Sequence, residues 1–175
     1  MSALRETAPP AASGTPEAAT IRPAELPDLD ALLALENAAF SGDRATRRAI
    51  RHAILSPSMS LLVAVARTAD RESADVLLGA ATLERRSTSR TARLSSIAVS
   101  PTRAGSGLGG LLLDAAEAEA SRHGCTRLRL EVRTDNGAGI RLYERRGYLR
   151  TATREAYYED GMAAWCYAKI LDGSR

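Results

Sequence analysis

The segment Ser100-Pro101-Thr102-Arg103-Ala104-Gly105-Ser106-Gly107-Leu108-Gly109-Gly110 constrains this chain more than any other. Thr91 to Val99 alternates and then turns fully apolar at Ile97-Ala98-Val99, the pattern of a strand that Ser100-Pro101 ends. From about Gly107 to His123 the pattern is helical, with Leu108, Leu111, Leu112, Ala115 and Ala118 as the expected buried stripe. Asp114, Glu117 and Ser121 lie opposite, Arg122 and His123 occupy the last turn, and Gly124 follows as the stop. A glycine loop between strand and helix leaves the first helical amides unobstructed, unpaired and at the positive end of the helix dipole. Such a start accepts a phosphate or pyrophosphate without a lysine.

Three readings of the loop compete. A Walker loop requires Gly-Lys-Ser/Thr at its end, and here Gly110 is followed by Leu111. A dinucleotide fingerprint is formally present as Gly105-x-Gly107-x-x-Gly110, with Glu131 near the place of a ribose-binding acid. That motif begins at the strand's end, whereas Pro101 to Ala104 intervene here, and too little chain follows Glu131 for further βαβ units. The third reading is a glycine-rich turn with no ligand.

The rest of the chain fits one domain. Met1 to about Thr20 is rich in Ala, Pro, Ser, Thr and Gly without apolar period, which predicts a disordered tail. A short strand opens at Ile21-Arg22, and a helix follows Pro27 with Leu29, Leu32 and Leu33. Asp43 is the expected cap of a second helix, with Ala49, Ile50, Ala53 and Ile54 inward and Arg44, Arg47, Arg48 and Arg51 outward. Leu61–Ala66 and Val76–Leu83 read as strands joined by a polar loop from Arg67 to Asp75. After the long helix, Leu128, Leu130 and Val132 alternate with Arg127, Arg129, Glu131 and Arg133 as a strand. Asn136 caps a helix to about Arg146, closed by Gly147, and Tyr148–Thr153 and Ala163–Ile170 are the last strands. The order β, α, α, β, β, β, α, β, α, β, β predicts an α/β fold, a mixed sheet with helices on both faces, over residues 21–171, with a short tail at 172–175.

Composition narrows the function. The net charge of +3 suits a phosphorylated small molecule and falls short of a nucleic-acid footprint, and no basic stripe carries interleaved aromatics. No apolar run is long enough to cross a bilayer, and the first residues lack a secretion signal, so a soluble, cytoplasmic protein is expected. Cys125, Cys166, His52 and His123 show no metal-site spacing and are expected to be structural.

The loop, Leu130-Glu131-Val132-Arg133, Asn136 and Leu142-Tyr143-Glu144-Arg145-Arg146-Gly147-Tyr148 together resemble the GCN5-related N-acetyltransferase (GNAT) family. The likeness runs from about Ile21 to Leu171, and its specific part is Ile97 to Tyr148. Within the family the chain is most similar to the ribosomal-protein-alanine acetyltransferases, and Arg154-x-x-Tyr157-Tyr158 also looks like theirs. It departs from the pattern at Ala104, where the family has Arg or Gln, and at Gly139, which replaces an alanine. After Tyr157-Tyr158 the relatives carry Glu-Asp-Ala, whereas Glu159-Asp160-Gly161 follows at once here, and no Trp follows Phe40. These last two lie on the acceptor side and leave the substrate open.

The resemblance implies a mostly antiparallel sheet in which two parallel strands splay. It implies acetyl-CoA as acyl donor and no metal. Ala104, Gly105, Ser106, Gly107, Leu108 and Gly109 would hold the pyrophosphate, with Asn136, Tyr143 and Arg146 also on the cofactor side. Ile97, Ala98 and Val99 would carry the pantetheine arm and the oxyanion. The reaction is attack of a neutral amine on a thioester, needing a base, an oxyanion donor and an acid for the thiolate. Glu131 becomes the base, through a water, or else a solvent-facing residue paired with Arg129 or Arg133. Tyr143 becomes the acid, or else a core aromatic. Every Tyr of the chain lies from residue 143 onward. Asn136 caps its helix and in the family also touches the cofactor. Arg145 and Arg146 reach phosphates or form a solvated face. The helix arginines border the acceptor site or are solvated, Tyr157, Tyr158 and Glu159 form the opposite wall, and Trp165 and Tyr167 belong to the core. The expected acceptor is a protein or peptide N-terminal amine, with a small amine or a non-catalytic acyl-CoA-binding module as alternatives, in a monomer or homodimer.

Overall fold

The computed structural model describes residues 19–66 and 75–171. The expected tail up to Ala18, most of the loop after Ala66 and the last four residues lie outside the described residues.

The order of elements is the one the hydrophobic patterns predict. It runs β1 (Thr20–Pro23), α1 (Leu29–Ala39), α2 (Arg47–Leu55), β2 (Met59–Ala66), β3 (Val76–Glu84), β4 (Thr91–Val99), α3 (Leu108–Arg122), β5 (Arg127–Arg133), α4 (Gly137–Arg145), β6 (Leu149–Arg154) and β7 (Ala164–Ile170). The seven strands form one sheet in the order β1-β2-β3-β4-β5-β7-β6, antiparallel throughout except between β4 and β5. The parallel pair arises because α3 carries the chain back across the sheet between those two strands, as a parallel connection requires.

Each face of the sheet has its own core. On one, Leu108, Leu112, Leu113, Ala116 and Ala120 of α3 pack against Leu83, Leu94, Leu128 and Leu130, with Tyr143, Tyr148 and Tyr167 beside them. On the other, Leu29, Leu32 and Leu35 of α1 and Ile50 and Ala53 of α2 cover Leu61, Val63, Ala80 and Ala98. Tyr167 is fully buried, as expected of a core residue, and Trp165 packs at the edge of the first cluster.

Two local expectations are corrected. The buried stripe of α3 is rotated from the expected one: Leu111 is 51% exposed and Ala118 is exposed, while Leu113 is buried. Leucines on both flanks of Leu112 make two stripes equally apolar, and in the one that faces the sheet Gly110, Ala116 and Ala120 let the helix approach closely. The buried flank also takes in Glu119, whose Oε1 accepts from Ser60 Oγ at 2.6 Å. The cap of α2 is Thr46, whose hydroxyl accepts from the Ala49 amide at 3.2 Å, and not Asp43. The Ala45 amide is held by Glu36 Oε1 at 2.8 Å, so the chain is tied to α1 and turns helical only after Thr46. Asp43 stands before this in a left-handed conformation (φ 49°).

Candidate active site

The site begins where two strands part. β4 and β5 pair only from Thr91–Arg127 to Leu94–Leu130. Beyond that point β5 stays with β7 as far as Arg133, and β4 stays with β3 as far as Val99. The cause is local. Thr82 faces Ser96 and Leu83 faces Leu94, so Ser95 is an extra residue, and its Oγ donates to the Thr82 carbonyl at 3.2 Å. Such a bulge bends its strand and turns β4 away from β5. The Ser100 amide donates to the Leu78 carbonyl at 2.8 Å, which fixes the phase of the ladder. By antiparallel alternation Ala98 bonds toward β3, while the amides and carbonyls of Ile97 and Val99 point into the gap.

The glycine loop continues β4. Pro101–Arg103 makes one 3-10 turn, and Gly105 (φ 75°) and Gly107 (φ 82°) take left-handed conformations that a side chain disfavours. Gly107 caps α3 and has no side chain to satisfy its amides. The amides of Ala104 and Ser106 close turns, and those of Gly110 and Leu111 bond to the Gly107 carbonyl. The amides of Gly105, Gly107, Leu108 and Gly109 are left without an intramolecular acceptor among the described residues. Four free donors at a helix start form an anion cradle. Val99 and Leu142 pack over Gly109, and Arg146 pairs with Asp114 one turn further along α3. Arg146 therefore flanks the cradle, ion-paired, while Arg145 is exposed on α4.

A cavity of about 650 Å³ opens along the fork. Ser95, Ser96, Ile97 and Ala98 line it from β4, Glu131, Val132 and Arg133 from β5, and Asn136 and Tyr143 from α4 and its cap. Val99, the loop Ala104–Gly109 and Arg146 do not line it, so the cradle and the cavity are neighbouring parts joined through β4. Asn136 Oδ1 accepts from the Gly139 amide at 2.9 Å, the expected cap. A Cβ at residue 139 would stand 2.9 Å from the Asn136 side-chain amide nitrogen, so the glycine leaves room for this cap.

Tyr143 is both core aromatic and cavity wall. Its ring centroid lies 5.8 Å from that of Tyr148 and 6.4 Å from that of Tyr167. No buried side-chain polar atom among the described residues lacks a partner, so the Tyr143 hydroxyl, which makes no hydrogen bond to them, is one that opens to the cavity. Burial, and to a lesser degree Tyr158, pushes this phenol above its ordinary value and keeps it protonated. Burial likewise pushes Tyr158 up to about 12.

Glu131 is not solvent-facing: its side chain is 5% exposed. Oε1 accepts from Arg129 Nη1 at 3.0 Å and Oε2 from Arg93 Nε at 2.8 Å. Arg133 is not a partner; it bridges Asp135 and Asp160. Sequence reasoning missed Arg93, which also reaches Glu84 and Tyr157. The signal that finds it is the register, since Arg93 stands opposite Arg129 in the last pair but one before the fork.

The acceptor side is narrower than expected. Of Tyr157, Tyr158 and Glu159 only Tyr158 lines the cavity, and of the arginines from 44 to 51 only Arg44 does. Arg47 pairs with Asp30 on the exposed surface. The Glu159 amide donates to Asp43 Oδ1 at 3.4 Å, linking the loop before α2 to the loop between β6 and β7. Glu36, Asp43, Glu84, Glu131 and Asp135 all line the cavity, against Arg44 and Arg133. Glu36 is a second residue that the sequence did not flag. It is half-buried, and among the described residues it accepts only the Ala45 amide. Burial raises its pKa, an effect the amide hydrogen bond partly offsets.

A mixed seven-stranded sheet that forks beside a helix start of free amides is the fold of the GNAT acetyltransferases. The model of the Acetyltransferase (GNAT) family matches residues 29–148, and the chain belongs to that family of acetyl-transferring enzymes. Its structure is similar to the ribosomal-protein-S18-alanine N-acetyltransferase from Escherichia coli, with 25% identity, a TM-score of 0.76, and 90% of this chain and 97% of that one covered. It is also similar to Ard1 from Thermoplasma volcanium, with 26% identity, a TM-score of 0.75, and coverage of 88% and 98%. Nourseothricin acetyltransferase shares the fold at 23% identity and a TM-score of 0.69, with coverage of 88% and 99%. No curated protein matches the sequence. No helix among the described residues is long and apolar enough to cross a membrane.

Proposed function

We propose that the protein transfers the acetyl group of acetyl-CoA to the α-amine of a protein or peptide N-terminus. The observation that carries this reading is the fork itself: Glu131 and Tyr143 line one cavity with the free edge of β4. The amides of Gly105, Gly107, Leu108 and Gly109 receive the pyrophosphate, with Arg146 alongside once it exchanges Asp114 for phosphate. Ala104 contributes backbone only. The pantetheine arm lies in the gap and pairs with β4 as an added strand, through the outward amides and carbonyls of Ile97 and Val99. Ala98, bonded toward β3, supplies the wall beneath it. Asn136 shapes the gap from the other side.

In the reaction the amine nitrogen attacks the thioester carbonyl carbon and an oxyanion forms. A β4 amide donates to it. Glu131 takes the proton of the attacking nitrogen through a water, because both its oxygens already hold guanidinium donors. Collapse of the intermediate breaks the C–S bond, and the Tyr143 hydroxyl gives its proton to the departing thiolate. Burial keeps that phenol protonated, so the proton is in place when the thiolate leaves.

The acidic lining supports a cationic acceptor. The choice of an N-terminal amine draws on the likeness to the Escherichia coli S18-alanine enzyme. The test is a panel of peptides with free α-amines, incubated with acetyl-CoA and followed by thiol release and product mass. Turnover on the panel supports the reading, and its absence on every free α-amine refutes it. A second reading, a small amine as acceptor, is favoured by the Asp43–Glu159 link that joins two loops beside the cavity. Activity on peptides with none on amino acids, polyamines or aminoglycosides eliminates it. A non-catalytic acyl-CoA-binding module would bind CoA yet show no turnover with any amine.

A further inference from the structure

We propose that Arg93 is a positioning residue that fixes the Glu131 carboxylate at the fork and ties it, through Tyr157, to the loop beside the acceptor cavity. The inference rests on the reading of Glu131 as base and goes beyond it.

Arg93 occupies the last residue but one before β4 leaves β5. All three nitrogens of its guanidinium are engaged. Nε donates to Glu131 Oε2 at 2.8 Å, Nη1 to Glu84 Oε2 at 3.2 Å, and Nη2 to the Tyr157 hydroxyl oxygen at 3.0 Å. One planar group thus joins β3, β4, β5 and the loop after β6. Because β4 and β5 stop pairing at Leu94–Leu130, the Glu131 carboxylate has no strand neighbour on the β4 side to define its rotamer. The guanidinium supplies that definition. A lysine offers a point charge and cannot reproduce three divergent bonds.

The environment favours a strong coupling. The Arg93 side chain is 28% exposed and that of Arg129 is 42%, so Arg93 is the more sheltered of the two cations on Glu131. A pair in lower dielectric interacts more strongly. Burial alone would lower the proton affinity of Arg93, but the hydrogen bond and charge of Glu131, with Glu84 and Tyr157, raise it above its ordinary value. The other titratable or charged groups around Glu131 are Arg129 on its own strand, Cys166 opposite it on β7, Glu84 through Arg93, Tyr157 and Tyr158 in the loop after β6, and Tyr143 across the cavity.

The experiment compares R93K, R93Q, R129Q, Y157F and E131Q in the full chain. It measures kcat and the KM for amine at fixed pH, CoA affinity by titration calorimetry, and thermal melting as the check on folding. R93K is expected to lose about tenfold in kcat with CoA affinity and the KM for amine unchanged, since charge remains but geometry is lost. R93Q is expected to lose at least as much in kcat with the same KM. R129Q, which removes the more exposed of the two cations, lowers kcat less. Y157F, which removes only a hydroxyl at the loop end of the network, lowers kcat more mildly and adds little to R93K. Full kcat in R93K, or a kcat in R93Q no lower than in R129Q, overturns the proposal. Should R93K fail to fold, wild-type kcat in Y157F overturns the coupling to the loop. Full turnover in E131Q removes the base reading instead, so the two failures are distinguishable.

Discussion

Replacing Tyr143 by Phe separates catalysis from packing at one residue. The ring stays among Tyr148 and Tyr167, with centroids 5.8 and 6.4 Å away, so the core keeps its shape. The hydroxyl makes no hydrogen bond to the described residues and opens to the cavity, so removing it breaks no bond of the fold. Its removal is therefore expected to leave melting temperature unchanged. On the proposed role the variant loses the proton donor to the thiolate. General acids contribute roughly 10²–10⁴ in rate, about 3–5 kcal/mol of barrier. Steady-state thiol release with saturating acetyl-CoA and amine reads kcat directly, and CoA titration checks that the donor still binds. Burial places the phenol above its ordinary value of about 10. The wild-type kcat profile is therefore expected to show no basic limb from this group below about pH 10. A variant with kcat within threefold of wild type refutes the acid role, whatever its stability.

Three further outcomes follow from the same geometry. Ala104→Arg places an exposed cation beside the free amides and is expected to lower the KM for acetyl-CoA about two- to fivefold, the range of a surface ion pair; an unchanged KM would show that the cradle is already complete. Glu36→Gln keeps an acceptor for the Ala45 amide and removes a charge that burial disfavours. With its folded pKa raised, Glu36 costs stability as pH rises through about 4.3, so the variant melts at or above wild type at pH 7 and loses that advantage near pH 4. Asp28 is the opposite case: Arg22, at 2.7 and 2.9 Å, holds its carboxyl below the usual range despite partial burial, helped by the Glu25 amide. Its stabilisation is present above about pH 3.9 and lost as pH falls through the folded value, so Asp28→Asn is expected to cost about 1 kcal/mol at pH 7, with the difference closing below pH 4 in chemical denaturation.

What the sequence reveals is set by the range of the interactions. Strand and helix order follows from periodicity along the chain, and β4, the glycine loop and the cap at Asn136 are local signals read within a few residues. The fork is different. The residue that bends β4 is Ser95, and nothing in Leu94-Ser95-Ser96 announces a bulge, because the bulge exists only as a mismatch with Thr82 and Leu83 on another strand. Arg93 is invisible for the same reason. Its partners at residues 84, 131 and 157 are brought together by strand register and a loop, not by spacing. The stripe of α3 failed for want of contrast, since the leucines at 111, 112 and 113 present the same hydrophobicity to either phase.

The parts of the candidate site share one physical property: each is a place where regular pairing stops. β4 loses β5 after Leu94, α3 starts on amides that no cap satisfies, the Tyr143 hydroxyl lacks a partner among the described residues, and Glu36 is a sheltered carboxylate without a cation. Elsewhere the same chain closes its polar groups with care, as in the Glu25–Asp28 capping box or the Ser60 contact to buried Glu119. Unmatched polar groups cost stability, and here they converge on one cavity and the loop that feeds it. A thioester with a diphosphate tail and an amine bring the missing partners: an anion for the loop amides, hydrogen-bonding groups for the β4 edge, a thiolate for the phenol and a cation for the carboxylates. Ligand binding is then expected to stabilise the fold in proportion to what it satisfies. CoA alone should raise the melting temperature by mass action, and Gly107→Ala, which strains the left-handed cap of α3, should shrink that rise while leaving the amine-dependent part of the site intact.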